Sequence, residues 1–189
     1  NDPQIQIALQ GARDLVEEQR LQRVLANGNS QPRYMSQNMQ TYREGGAAHS
    51  ALVDAIINQE SGGDPSAYRS DSTATGMSQI LERNIGPWTR KHLGYSMTPA
   101  QFRNDPTAQR IVTNGEFRER LRQQSALGFT GEELIRRVAA SWYGGPGAVD
   151  DWDNPNYEGF DSSHPSMKEY TKSVYKRFIE RGGFGVTGI

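Results

Sequence analysis

Cysteine is absent from the 189-residue chain. That excludes a disulfide framework and a thiolate metal site, and it leaves the redox compartment open. No apolar run approaches the roughly 18 residues a membrane-spanning helix needs. Neither sign of charge is in excess. Lys and Arg number 21 against 22 Asp and Glu, a net charge of −1, which argues against the basic surface of a dedicated nucleic-acid binder. His49, His92 and His164 have no ligand spacing and no cysteine companions, so metal binding is not expected. No alternating apolar stretch justifies a strand, and no internal repeat is visible. The chain opens Asn1-Asp2-Pro3, without Met or a signal-peptide core. It therefore reads as a piece of a longer protein or as a mature product.

What is present reads as short helices joined by structured loops, with 20 Gly and 9 Pro. Residues 4–26 carry Ile5, Ala8/Leu9, Ala12, Leu15/Val16 and Val24/Leu25 at helical spacing, with Gly28 as a stop. Residues 27–47 are polar and contain Asn-Gly, Pro and Gly-Gly, the composition of a linker. The expected division is an N-terminal arm and linker over 1–47, a main all-α domain over 48–181, and a frayed tail over 182–189. Within the main domain, helices are expected over 48–60, a short stretch 76–82, and 87–92 with Gly94 after it. Thr98-Pro99 and Asp105-Pro106 open two more, the second running to about Leu127 with Gly128 as its cap. Thr130-Gly131-Glu132-Glu133 has the capping-box pattern and opens 131–143, with Leu134, Ile135, Val138, Ala139 and Trp142 as its inward stripe. Residues 150–163 read as an acidic loop. Pro165 opens the last helix, with Tyr170, Val174 and Phe178 along one face.

The centre of the chain is 52–80. Leu52, Ile56 and Gln59/Glu60 fall on one helical face that leads from apolar core to Glu60. Gly62-Gly63-Asp64-Pro65 stops the helix directly behind it. A carboxyl at the rim of an apolar core has its pKa raised, because burial penalises the charged form. A raised pKa is what a general acid needs.

Three blocks occur in order: Glu60-Ser61, Gly76-Met77-Ser78-Gln79-Ile80, and Ala140-Ser141-Trp142-Tyr143-Gly144-Gly145-Pro146-Gly147. Together, with Asp64-Pro65 and Ser70 between, they resemble the catalytic domain of soluble lytic transglycosylases, related to goose-type lysozyme. That family's blocks read E-S, G-L-M-Q and A-Y-N-A-G-P-G. The resemblance covers about residues 48–181. Here the stretch from Glu60 to Gly76 is one residue longer. Ser78 stands at the family's Met, Trp142 at its Tyr and Tyr143 at its Asn. Ser166 stands where an acidic residue often precedes the final tyrosine.

The resemblance implies a lysozyme-like fold and no cofactor. It also implies cleavage of the β-1,4 bond between N-acetylmuramic acid and N-acetylglucosamine in peptidoglycan, with a 1,6-anhydro product. Glu60 is then the lone acid and base. Of the carboxylates near it in sequence, Asp64 reads as closing a turn and Asp71 as a lesser candidate for the site, so no second carboxylate is evident for the two-carboxylate scheme. Ser70 matches a serine that hydrogen-bonds near the acid, or is simply turn-forming. Gln79 matches an amide that binds sugar, or closes a short helix. Trp142 and Tyr143 offer ring faces and a hydroxyl to the sugar, or Trp142 anchors the core. Tyr170 matches the family's closing-helix tyrosine, or heads a core stripe. Met77 and Ile80 read as core, and Trp88 and Trp152 as packing or rim residues. The expected partners are peptidoglycan strands and, through the 4–26 helix, a larger envelope or virion assembly, so the chain is expected to act outside the cytoplasm. The alternatives are a peptidoglycan hydrolase, or a catalytically weak glycan-binding module.

Overall fold

The computed structural model describes residues 48–157 and 164–184. The expected 4–26 helix and its linker lie outside them. The fold is all-α and lysozyme-like: six α-helices, a short 3-10 helix and a minimal sheet make up the described residues. Helix α1 is described over 48–61. Ala51, Leu52, Val53, Ala55, Ile56 and Ile57 on it are all buried. A helix apolar over most of its circumference belongs in the middle of a core, and α1 is wrapped by residues of the later helices. Glycines end it: Gly62 and Gly63 have φ of 67° and 94°, a conformation that a β-carbon disfavours.

Three two-residue strands follow, β1 Tyr68–Arg69, β2 Ala74–Thr75 and β3 Ile80–Leu81, antiparallel in the order β1-β2-β3. Tyr68 pairs with Thr75, and Thr75 with Ile80. The all-helical expectation for this stretch is corrected here. Two residues cannot display an alternating pattern, so the sequence carried no strand signal. The expected 76–82 helix does not form either. Gln79 has φ of 52°, outside the right-handed region, and the segment is a turn feeding β3.

Helix α2 spans Glu82–Leu93, starting earlier than expected, with Pro87 inside it and Gly94 closing it at φ of 85°. Proline has no N–H, so the helix forgoes one internal bond there. Helix α3, Pro99–Arg103, opens with the Thr98/Gln101 capping box. In α4, Pro106–Ala126, the Asp105 carboxylate accepts from the Ala108 N–H at 2.8 Å. Helix α5 is Gly131–Tyr143, but Thr130 makes no side-chain cap. Glu132 and Glu133 face Arg136 and Arg137 instead, at 3.1 and 3.5 Å. Both arginines are buried, which the apolar stripe did not foretell. Arg136 also reaches Asp153 at 2.6 Å and lies over the Trp152 ring, while Arg137 pairs with Asp150 and lies over Phe129. Asp150 in the 3-10 helix Pro146–Asp151 and Asp153 just after it thus supply counter-charge for α5. Helix α6, Met167–Glu180, opens at Ser166, one residue after Pro165, with a capping box to Glu169.

Three apolar clusters result among the described residues. One gathers α1, α4, α5 and α6 around Phe117, Tyr170, Val174 and Phe178. A second joins Ile80, Ile85, Phe102, Ala108 and Val112. Trp142 packs against both of these. The third is Ala140, Ala148 and Met167. Glu116, buried in α4, draws His92 at 2.9 Å, Lys91 at 3.0 Å and Arg120 at 2.6 Å. Burial works to raise its pKa, but Arg120, His92 and Lys91 outweigh that and hold it below the usual carboxylate range. The expected frayed tail is corrected at its start. Gly183 is buried, its N–H donates to the Phe178 carbonyl at 3.0 Å, and Phe184 meets the Phe178 ring edge-on at 4.8 Å. Residues 185–189 lie outside the described set.

Gly76 is the position least tolerant of a side chain near the sheet. Its φ is 78°, and a β-carbon there would come within 2.5 Å of Gln109 Oε1, in a side chain pinned by several hydrogen bonds. Gly76→Ala is expected to cost about 2 kcal/mol or more, from left-handed strain plus overpacking. Urea denaturation measures it.

Candidate active site

Glu60 sits in the last turn of α1, with the β-hairpin on one side and α6 on the other. Part of its surface stays open, but its carboxyl is crowded by protein, and this burial raises the pKa to about 7. Two effects oppose the rise: a hydrogen bond from Tyr170 and the positive charge of Arg69. The Tyr170 hydroxyl donates to Glu60 Oε1. Tyr170 is itself buried, with its own pKa raised by burial and by the neighbouring Glu60 charge, so it stays a donor. A displacement from 4.5 to about 7 corresponds to about 3 kcal/mol against the charged form.

Tyr143 from the end of α5 stacks on Tyr170, ring centroids 4.2 Å apart. Its hydroxyl donates to the Pro165 carbonyl at 2.7 Å, so it braces the entry to α6. Tyr170 is buried in the cluster around α1, and its hydroxyl meets the acid.

The Gly76–Gln79 turn lies beside the same helix end. The Ser61 hydroxyl, next to Glu60, donates to the Met77 carbonyl at 2.7 Å. Gln109, fully buried in α4, accepts from the Met77 N–H at 2.8 Å and donates to the carbonyls of Pro65 and Phe102 at 3.0 and 2.9 Å. Ser78 is buried, its hydroxyl 2.6 Å from that of Thr113. The Trp142 indole N–H donates to the Ser78 carbonyl at 3.2 Å. Trp142, one departure from the family motif, is therefore hydrogen-bonded to the backbone of another, Ser78. Gln79 follows in a left-handed conformation that costs a non-glycine residue about 1–2 kcal/mol. Its Nε2 donates to the Gly76 carbonyl at 2.9 Å, while its Oε1 is buried without a donor.

Other candidates stand further out. Ser70 is exposed in the β1–β2 turn and makes no hydrogen bond to Glu60. Asp64 closes its own turn, accepting from the Ser66 N–H at 2.8 Å and hydroxyl at 2.7 Å. Asp71 is exposed and paired with Arg69 at 3.0 Å, and that hydrogen bond holds its carboxyl low. Trp88 is packing, against Trp142 at 5.7 Å. Sequence reasoning missed Arg69, Gln109 and Thr113. The signal for the last two was a polar pair at i, i+4 on a helix face that also carries Val112 and Phe117. Arg69 offered none, since its nearness to Glu60 depends on how the hairpin folds back.

A buried carboxyl at the tip of a core helix, latched by a tyrosine from the closing helix, lies at the centre of a mostly helical, lysozyme-like fold. Residues 33–164 match the family model described as Transglycosylase SLT domain, and the chain belongs to that family. The family acts on peptidoglycan, and its members are typically lytic transglycosylases. The matched stretch contains Glu60, Gln79 and Tyr143 but ends before α6 and Tyr170. A comparison with curated proteins returns no match.

Burying the acid has a consequence for stability. The folded chain keeps a proton on Glu60 that the unfolded chain releases between pH 4.5 and about 7. The Glu60 contribution is therefore greatest below pH 4.5 and is lost as pH rises through about 7. Glu60→Gln is expected to match the parent at pH 4 and to exceed it by about 3 kcal/mol at pH 8. Denaturant unfolding at the two pH values checks this.

Proposed function

We propose that the chain is a peptidoglycan lytic transglycosylase in which Glu60 serves as both acid and base. The observation that carries this reading is the Glu60 carboxyl itself, raised to about 7 beside the Tyr170 hydroxyl. Near neutral pH such a group is divided between its two forms, as an acid that later acts as a base requires. With Tyr170 on Oε1, the proton resides on Oε2. It passes to the bridging oxygen as the bond from C1 of N-acetylmuramic acid breaks, and N-acetylglucosamine leaves with a free 4-hydroxyl. The carboxylate, steadied by Tyr170 and Arg69, then takes the proton from the muramic 6-hydroxyl. O6 closes on C1, giving the 1,6-anhydro end and restoring the acid.

Intramolecular attack needs no second carboxylate. That fits Asp64 and Asp71, the first two acidic residues after Glu60, being committed to Ser66 and Arg69. Gln79 is assigned to sugar binding. Its Oε1 lacks a donor and is shielded from solvent, so a sugar N–H or O–H engages it once the half-buried side chain turns outward. Tyr143 and Tyr170 line the same side, and Ser70 lies on the neighbouring turn as an outer contact. Substrate and site of action place the domain outside the cytoplasm. We assign residues 48–181 to the catalytic unit and 1–47 to an arm that tethers it to a larger envelope or virion assembly. The apolar stripe of 4–26 supports that assignment.

Incubation with purified murein sacculi, followed by mass spectrometry, is expected to yield anhydro-ended muropeptides. Reducing ends would establish hydrolysis instead, and binding without release would establish a glycan-binding module. Glu60→Gln is expected to lower release about 10²–10⁴-fold. Activity should fall as pH rises past about 7, as the acid form is lost. Tyr170→Phe removes a hydrogen bond that favours the carboxylate, so the alkaline limb of its pH–rate profile is expected at higher pH.

A further inference from the structure

The ring of Trp142 has little left to offer a sugar. Phe117 lies 4.6 Å from its centroid, Trp88 5.7 Å away, and the Arg120 guanidinium 5.1 Å from the ring centre. Its single donor is engaged by the Ser78 carbonyl. The residue after Ser78 is Gln79, in the left-handed conformation with φ of 52°. Such a conformation persists only where its surroundings over-determine it. Here three side chains hold the preceding backbone. Ser61 takes the Met77 carbonyl, Gln109 the Met77 N–H, and Trp142 the Ser78 carbonyl. Of these, Trp142 acts closest to Gln79, on the peptide unit that joins Ser78 to it.

We propose that Trp142 is a positioning residue: its indole N–H, through the Ser78 carbonyl, fixes the backbone of Gln79 so that the Gln79 amide is presented to the glycan beside Glu60. Trp142 does not contact sugar. The inference rests on the lytic-transglycosylase reading for the identity of the ligand, and on the hydrogen-bond geometry for the role. Gln79 is the residue through which any effect must pass, so removing Trp142's N–H and removing the Gln79 amide damage the same interaction.

The test uses the full chain carrying Glu60→Gln, which binds without turnover. Affinity for a soluble peptidoglycan tetrasaccharide is measured by calorimetry for Trp142→Phe, Gln79→Ala and the double variant. Each single change is expected to weaken binding about tenfold, and the double to be no weaker than Gln79→Ala alone, the signature of coupled residues. Hydrogen exchange over 76–80 should accelerate in Trp142→Phe while the urea midpoint is retained. Should the phenyl ring fail to support the fold, a benzothienylalanine at 142 keeps the bicyclic shape and removes only the donor. Additive losses would show that Trp142 acts independently of Gln79, and unchanged affinity that its N–H does nothing for binding; either overturns the proposal. If the unsubstituted chain releases anhydro sugars in such a case, this inference alone fails. If the chain releases no sugar and the Glu60→Gln form binds none, the functional reading falls and this inference with it.

Discussion

A carboxyl group kept from water at the end of an apolar helix is expensive to charge, and the surrounding structure is arranged around that cost. The last turn of α1 cannot place Glu60 at the boundary of core and surface unless the helix itself is embedded. Its buried run from Ala51 to Ile57 achieves this. The closing helix then brings Tyr170 across more than a hundred residues of chain to give the carboxylate one strong donor. Arg69 adds a nearby positive charge from the hairpin. Burial exceeds both, which leaves the group poised between its forms instead of fixed in either.

The turn beside Glu60 is held differently from the rest of the fold. Helices satisfy their own backbone, but the segment from Gly76 to Gln79 depends on side chains sent from three elements. Ser61, Gln109 and Trp142 take over hydrogen bonds that a longer strand or helix would have made internally. Two of the buried polar side chains of α4, Gln109 and Thr113, serve this segment. At these two motif positions the Trp142 N–H takes the Ser78 main-chain carbonyl and the Ser78 hydroxyl meets Thr113, so both polar groups are paired.

Much of the helical framework was legible in the chain because capping residues and periodic apolar positions are local signals. Thr98, Asp105 and the stop at Gly94 mark boundaries that the structure keeps. Glu60 was legible for a related reason: a glycine-rich stop follows an apolar helix at once. The hairpin was not legible, because a strand of two residues is set by its pairing and not by its pattern. Arg136 and Arg137 were not legible either. Each looks like the polar face of a helix until the folding of Asp150 and Asp153 over α5 supplies its counter-charge. The capping pattern at Thr130 misled, because Glu132 and Glu133 engage those arginines. Trp142 was read with two roles open, and only its hydrogen bond to Ser78 separates them.

Tyr170 belongs to the opening turns of α6, four residues past the Ser166 cap. Helix ends open and reclose far more often than whole domains unfold. Each such excursion would carry the phenol away from Glu60 and admit solvent to the carboxylate, returning it toward an ordinary acidity. The interlock of Ser166 with Glu169 therefore ties the local acidity at Glu60 to the integrity of one helix cap.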